Sequence, residues 1–451
     1  MIKHIPENFQ QLLLQLANQS IQNGELDPTW KLAHIKMIPK TKNKREDPKN
    51  YRPISLLSCI GKLIERIIQA HLYNYIESKN LLIHQQSGFR QSRRTADNLI
   101  YLSQKVQESF NRKKKVGTIF FDISKAFDEV WHKGLLAKMI LLEIPYYFIK
   151  WTKNFLENRS FKINVNGSLS DPGKIVCGCP QGAILSPLLF NIYINDIPIE
   201  NQKRKSFSLL FADDLATSFF YKTKATFIKK ASLYLKKIES WSSKWRLKMN
   251  TSKSNYTLFC KGNTDKICNL KLFSQPLPHN PKPKFLGIVF DERLCFGDQI
   301  KYIQDKCLSR LNLIKILSHR TWKLGKNTLI NIYRSLVGSV IDYNFFILPF
   351  VSSQNLNRLQ SIQNKALRCI LKLPFNQETG RHHSTESLNN LSGLGSISAR
   401  LTELKKEYLK EALNKQNPLI CPLIEKYLSS RSEIEREVSS PSILIGFESI
   451  T

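Results

Sequence analysis

Two of the most apolar stretches of this chain are interrupted by acids, and that conflict constrains the fold more than any other feature. Residues 206–220, SFSLLFADDLATSFF, are two apolar runs broken only by Asp213-Asp214, and Asp122 ends a second run, VGTIFF at 116–121. Runs this short, rich in Phe, Ile and Thr, read as buried strands, and the first reads as a hairpin with acids near its turn. Carboxylates beside buried strands lose hydration and repel one another. A divalent cation offsets both costs, and Mg²⁺ prefers oxygen donors, often one or two carboxylates plus substrate phosphates. Three acids converging from two strands suit two Mg²⁺ ions roughly 3.5–4 Å apart, the arrangement used for in-line phosphoryl transfer. Taken alone, an Asp pair in a hairpin fits a plain turn better, because Asp is a common turn residue.

Charge narrows the partners. The 451 residues carry 68 Lys and Arg against 36 Asp and Glu, a formal net charge of +32. Such a surplus repels itself unless a polyanion balances it, and nucleic acid is the natural one, since each neutralised phosphate releases counterions. Hydrophobic content of 42% and charged content of 23% are ordinary for a folded globular protein. Nine scattered cysteines, an odd number without paired CxxC motifs, read as reduced thiols of an intracellular protein. Cys177-Gly178-Cys179 lacks a second half with ligand spacing, which favours a structural role over a metal site. The opening MIKHIPENFQ has no signal-peptide core, and no run is long enough to span a membrane.

Periodicity organises the rest. Residues 7–23 read as an amphipathic helix with Phe9, Leu12, Leu13, Leu16 and Ala17 on one face and Gly24 as its stop. KLAHIKMIPK is strand-like and leads into a basic loop from Lys40 to Arg45; a helix follows from about Gly61 to Ile76. Residues 183–199 read as an apolar helix started by Ser186-Pro187, and 284–290 as a strand. Beyond Phe296 the pattern is helical. In LNRLQSIQNKALRCILKL, Leu356, Leu359, Ile362, Leu367 and Ile370 mark one face and Arg358, Lys365, Arg368 and Lys372 another, which by spacing alone is a solvated surface. The tail from Arg431 reads as loosely ordered.

The neighbours of the acids carry a resemblance. FFDISKAFDEVWH (120–132), GCPQGAILSPLLFNIYINDI (178–197), FADD (211–214), WRLKMNTSKS (245–254) and KFLG (284–287) occur in that order, preceded by IPK (38–40), NYRPISLLSCIGKLIER (50–66) and QSGFRQSRRTADNL (86–99). This series resembles the motifs of non-LTR (LINE-type) retrotransposon reverse transcriptases, most like the jockey-type elements. The resemblance runs from about Trp30 to beyond Leu373 and implies an α+β right-hand polymerase: fingers at 31–115 after an N-terminal helical extension, an antiparallel-sheet palm at 116–291 with part of the fingers, an α-helical thumb at 292–375, and a C-terminal helical or loosely ordered tail. It implies an RNA-directed DNA polymerase acting on an RNA template, a DNA primer or target, and deoxynucleotides. Two Mg²⁺ ions would serve it, with Mn²⁺ as a substitute.

The same resemblance assigns residues. Asp122, Asp213 and Asp214 would be the catalytic triad, with the carbonyl of Ile123 completing one metal site. Phe127 would lie under the incoming sugar and exclude a 2′-hydroxyl; read without the motif, it is a core Phe. Gln181 and Gly182, with Pro180, would face the nascent base pair. Lys40 and Arg52 would reach the triphosphate, and Arg90 would line the template or nucleotide pocket. Lys253 would protonate the leaving pyrophosphate, against its reading as a solvated loop lysine. Phe285, Leu286 and Gly287 would form the primer grip, and the basic face of Arg358, Lys365, Arg368 and Lys372 would track the template–primer backbone.

Two departures stand out. The finger motif of the family more often reads GFR-x-Gly-Arg-Ser-Thr, where Ser92 and Arg94 replace the Gly and the Ser. Only about thirty residues precede the finger motifs, which leaves no room for an endonuclease and points to a truncated element, a partial gene or a stand-alone polymerase. Two other functions share these residues: an RNA-binding remnant, which would not need the acids, and a group II intron-type maturase, which shares the palm chemistry. The intact acids favour the enzyme, and the motif strings favour the LINE-type family. An element that inserts into chromosomes would pass from a cytoplasmic ribonucleoprotein to the nucleus.

Overall fold

The computed structural model describes residues 5–40, 47–165, 167–202, 205–262, 268–373, 383–429 and 444. Helix α1 (Glu7–Asn23) ends where Gly24 turns left-handed at φ 65°. Its sequence-derived apolar face is mostly uncovered: Phe9, Leu12 and Leu16 are exposed, and only Ala17 and Ser20 are buried. Periodicity reports which face is apolar, not whether a partner covers it, and α1 leans on the body through its C-terminal half.

Strands β1 (Leu32–Pro39) and β2 (Tyr51–Leu56) pair antiparallel, with Ile38 opposite Arg52. Of the basic loop between them, only Lys40 lies among the described residues. Helix α2 (Cys59–Ser78) starts at Ser58, whose hydroxyl accepts from the Gly61 N–H at 3.3 Å. Helix α3 (Thr95–Asn111) leads into β3 (Lys115–Phe121), and then come α4 (His132–Leu141) and α5 (Tyr146–Leu156). Strand β4 (Arg159–Val165) lies parallel to β1, while β5 (Ser168–Leu169) and β6 (Gly173–Ile175) pair antiparallel with β4, giving a five-stranded mixed sheet.

Helix α6 (Ser186–Tyr193) is shorter than the 183–199 read from sequence. Ser186 is not its cap: the hydroxyl donates to the Pro180 carbonyl at 2.9 Å. The helix stops because Asn195 is taken by another segment, accepting from the Ile83 N–H at 2.8 Å and donating to the Leu81 carbonyl at 2.7 Å. Strands β7 (Asn201–Gln202), β8 (Ser206–Phe211) and β9 (Asp214–Tyr221), helix α7 (Lys224–Trp245) and strand β10 (Asn255–Phe259) follow. The second sheet is antiparallel, ordered β10-β3-β9-β8-β7.

This antiparallel sheet is covered on both faces, and β3 shows how. Side chains alternate along a strand, so Val116 and Phe120 join one core with Leu99, Leu102 and Val106 of α3. Ile119 and Phe121 join the other with Tyr234, Leu235 and Ile238 of α7. Strands β11 (Lys271–Leu272) and β12 (Gln275–Pro276) form a small ribbon, and β13 (Lys284–Phe285) and β14 (Ile288–Val289) form another. The stretch 284–290 is therefore a hairpin rather than one strand: Leu286 (φ 45°) and Gly287 (φ 84°) make a two-residue turn of the left-handed kind that suits twisted strands.

The described residues after Phe296 are predominantly helical: α8 (Gly297–Leu317), α9 (Lys326–Tyr333), α10 (Ser339–Asp342), α11 (Ser353–Leu371), α12 (Thr385–Ser392), α13 (Ile397–Asn414) and α14 (Cys421–Ser429). Their buried residues, among them Ile303, Ile362, Leu401 and Leu409, continue the core under α3. Polar bonds fix the last helices to the start of α3. Asp97 accepts from the Tyr408 hydroxyl at 2.5 Å and from Asn417 Nδ2 at 2.9 Å, and Arg94 pairs with Glu411 at 2.5 Å. The loose tail read from Arg431 falls outside the described residues, except Leu444. No described helix is long and apolar enough to cross a membrane. All nine cysteines are free, and burial pushes the Cys179 thiol up to about 12, which opposes thiolate metal binding.

Candidate active site

The turn joining β8 to β9 consists of Ala212 and Asp213, with Phe211 opposite Asp214. Ala212 sits at φ 54°, a conformation that costs a residue with a Cβ about 1–2 kcal/mol. A neighbouring segment holds it there. Buried Gln86 accepts through Oε1 from the Ala212 N–H at 2.9 Å and the Gly88 N–H at 2.7 Å, and donates through Nε2 to the Ala212 carbonyl at 3.3 Å. The Ser87 N–H donates to the Leu210 carbonyl at 2.8 Å, and the Leu210 N–H to the Gln85 carbonyl at 3.2 Å. Asn98 on α3 adds a bond to the Leu210 carbonyl and accepts from the Ser87 hydroxyl. A Cβ on Gly88 would stand 2.2 Å from the Ala212 nitrogen, so only glycine allows this approach. Sequence reading quoted this segment yet gave Gln86, Gly88 and Asn98 no role; a Gln-Ser-Gly string destined for burial was the available signal.

Register brings the third acid in. Phe121 pairs with Leu215, so Asp122 emerges from β3 beside the β8–β9 turn. Its backbone is tied to the loop before β10: the Asp122 N–H donates to Ser254 Oγ at 3.1 Å, and the Asn250 N–H donates to the Asp122 carbonyl at 2.8 Å. Ile123 is buried and bridges Met249. The acids feel one another. Lost hydration raises Asp213, and the charge of Asp122 raises it further, against a backbone hydrogen bond and the guanidinium of Arg52. Asp214 is pushed up to about 6, first by lost hydration, as protein atoms crowd an otherwise exposed residue, then by the charges of Asp213 and Asp122. Lys253 is exposed, with Nζ 3.9 Å from Asp122 Oδ2. Among the described residues no group of three or more Asp, Glu, His or Cys side chains stands close enough as folded to hold a metal ion.

Loop 178–184 links the two sheets. The Cys179 N–H donates to the Phe127 carbonyl at 2.8 Å, and Gln181 Nε2 to Asp128 Oδ1 at 2.8 Å. On its other side the Ser55 N–H of β2 donates to the Gln181 carbonyl at 2.8 Å, and the Ile184 N–H donates to Glu65 of α2 at 2.8 Å. Gly182 adopts φ 120°, and a Cβ there would stand 2.7 Å from the Ser55 carbonyl oxygen. Phe127, half-buried, stacks on Phe190 with ring centres 4.8 Å apart and meets Phe89 edge-on at 6.0 Å.

The basic residues divide. Arg52 is exposed near the start of β2, close enough to act on Asp213. Lys40 follows β1, exposed, its N–H bonded to the Asn50 carbonyl at 2.7 Å. Arg90 is a correction. Its side chain is 4% exposed, bonded twice to Glu77 at 2.6 and 2.8 Å and once to the Ile83 carbonyl at 3.0 Å, so it braces the segment that carries Gln86 instead of lining a pocket. Phe285 likewise points inward, against Phe120 at 5.4 Å, leaving the Leu286–Gly287 turn as the part toward solvent. The Tyr343 hydroxyl donates to the Leu286 carbonyl at 2.7 Å, holding that turn against the helices. On α11, Arg358, Lys365 and Lys372 are exposed, whereas Arg368 is half-buried with its Nε unpartnered.

Residues 38–290 match the family model for reverse transcriptase (RNA-dependent DNA polymerase). The chain is 32% identical over 372 residues to the probable RNA-directed DNA polymerase from transposon BS of Drosophila melanogaster, covering 81% of this chain and 41% of that one. It is 30% identical to the RNA-directed DNA polymerase from mobile element jockey of the same organism, over 84% of this chain and 42% of that one. It therefore spans less than half the length of these relatives. A solved apo telomerase from Candida tropicalis aligns with TM-score 0.45 and 11% identity, over 92% of this chain and 73% of that one. The family match over more than half of the chain establishes that this chain belongs to the reverse transcriptase (RNA-dependent DNA polymerase) family.

Proposed function

We propose that the chain is an RNA-directed DNA polymerase, extending the 3′-hydroxyl of a DNA primer with deoxynucleotides along an RNA template. The observation that carries this reading is the braced β8–β9 turn, which sets Asp213 and Asp214 beside Asp122, whose charge raises the proton affinity of both. The donor set fits a hard divalent cation: all side-chain donors are carboxylate oxygens, and the repulsion among them is what a cation relieves. Asp122, Asp213 and Asp214, with the Ile123 carbonyl, would hold Mg²⁺ (Mn²⁺ as substitute). Two such ions supply a lowered pKa at the primer hydroxyl and charge neutralisation at the departing pyrophosphate.

The chain's own groups do the rest. Phe127, backed by Phe190, excludes a 2′-hydroxyl because a stacked ring cannot swing aside. Arg52 and Lys40 bind triphosphate oxygens from the mixed sheet. Gly182 admits the nascent pair close to the backbone, and Gln181 aligns it. The Leu286–Gly287 turn positions the primer end, and Arg358, Lys365 and Lys372 meet backbone phosphates. Lys253 donates a proton to a pyrophosphate oxygen.

The test is primer extension on an RNA template with Mg²⁺, comparing the chain with Asp213→Asn and measuring RNA binding of both. Extension lost in the variant with binding retained supports the reading. Absence of extension by either folded protein, with RNA still bound, moves the assignment to an RNA-binding remnant.

A further inference from the structure

At the far end of β8 and β9 from the acids lies a cavity of about 460 Å³ enclosed by α3, the start of β8, the end of β9 and α14. From Ser206 to Phe211 the strand covers roughly 17 Å, so this is a different place from the catalytic turn. Three rings form one wall. Tyr101 meets Phe207 at 5.4 Å, and Phe207 meets Phe220 at 5.6 Å. Cations line it as well. Lys105, Arg112 and Lys114 all line the cavity, and among the described residues Arg112 and Lys114 have no ion-pair partner. Lys105 Nζ lies 5.3 Å from the Tyr101 ring centre, which places charge beside the aromatic wall.

Two further details mark a built site. Ser109 is 4% exposed and lines the cavity, yet its hydroxyl has no hydrogen-bond partner. A buried hydroxyl left unpaired is costly. The acids nearby are already occupied. Glu108 is held by Lys105 at 3.6 Å and Lys426 at 2.5 Å, and Glu200 accepts from Ser206 Oγ at 2.8 Å and pairs with Lys237 at 3.4 Å. The unneutralised charge is positive, with burial and the neighbouring Arg112 and Lys426 holding the Lys105 ammonium below its usual range.

We infer that this cavity is a second nucleotide-binding site: one base lies against Tyr101 and Phe220, and its phosphate is held by Arg112 and Lys114. Rings beside cations are how single-stranded nucleic acid is gripped without regard to sequence. The occupant is a 5′-nucleotide unit, free or borne on a strand. The inference rests on the chain's meeting nucleic acid, but not on catalysis.

The test uses the full chain with two photoreactive probes, 4-thiouridine 5′-monophosphate and a 5′-phosphorylated oligoribonucleotide eight residues long carrying 4-thiouridine. Labelling is mapped by mass spectrometry, and affinity is measured by titration. Labels on peptides containing Tyr101 or Phe220 are expected, together with a loss of about tenfold or more in labelling there for Arg112→Glu/Lys114→Glu, whose melting temperature stays that of the parent because both side chains are peripheral. Labelling by both probes or the monophosphate alone assigns a free nucleotide as a ligand; labelling by the oligonucleotide alone assigns a strand. Asp213→Asn is expected to label equally, which separates this site from the polymerase reading. Absence of label on these peptides, label unchanged in the double variant, or binding of phenyl phosphate where both nucleotide probes fail overturns the inference.

Discussion

Gln86 grips the peptide of Ala212 from both sides, its Oε1 2.9 Å from the Ala212 nitrogen and its Nε2 3.3 Å from the Ala212 oxygen. One buried side chain thus sets the conformation of the turn that presents Asp213. Gln86→Leu removes these two bonds and the one from the Gly88 N–H, leaving the Ala212 and Gly88 N–H groups unpartnered, at a cost of about 2–4 kcal/mol in unfolding free energy. Because the acids would shift while the nucleotide contacts stay, kcat for primer extension should fall about tenfold or more, with KM for deoxynucleotide little changed. Denaturant unfolding and steady-state extension measure the two effects. Unchanged kcat in a folded variant would show that the clamp does not position the acids.

The raised proton affinity of Asp214 has a stability consequence. Its pKa rises from 3.8 to about 6 in the folded chain, so the native state binds the proton more tightly than the unfolded state. The resulting stability is fully present below about 3.8 and is lost as pH rises through about 6. Asp214→Asn removes that loss. In chelator, its melting temperature should exceed the parent's at pH 7–8, and the gap should close toward pH 4. Added Mg²⁺ should narrow the gap at neutral pH by stabilising the parent alone. A gap independent of pH would contradict the raised proton affinity of Asp214.

Arg90 separates a bracing role from a binding role. With its guanidinium bonded to Glu77 and to a main-chain carbonyl, Glu77→Ala strands a charge that is only 4% exposed and should cost about 3 kcal/mol. The same loss is expected for Arg90→Ala, and in both variants KM for deoxynucleotide should hold at temperatures where the protein stays folded. A raised KM with normal stability would return Arg90 to the nucleotide pocket.

Ser92 stands where the family more often has glycine, and its φ of 61° explains the preference. A Cβ in that region is strained, so Ser92→Gly should stabilise the chain by about 1 kcal/mol without altering extension. Thermal unfolding reads the change. The other departure, Arg94, is engaged with Glu411, so Arg94→Ser should lose less than about 1 kcal/mol, as expected of an ion pair near the surface.

What the sequence determined by itself was local and periodic. Short apolar runs and their composition marked β3 and the β8–β9 hairpin, periodicity marked α2 and α11, and the ordered motif strings were enough to name the family. These signals are legible because a strand or helix writes its buried face into neighbouring residues. Tertiary structure decided what depends on distant partners. Residues 284–290 fold back because a turn, not a strand, satisfies Leu286 and Gly287. Phe9, Leu12 and Leu16 are apolar but uncovered. Arg90 looks like a nucleotide ligand until Glu77 is placed beside it. The bond from Gln86 to Ala212 spans 126 positions, and no local pattern records it: a buried amide finds its partner only when folding brings the two segments within hydrogen-bond reach.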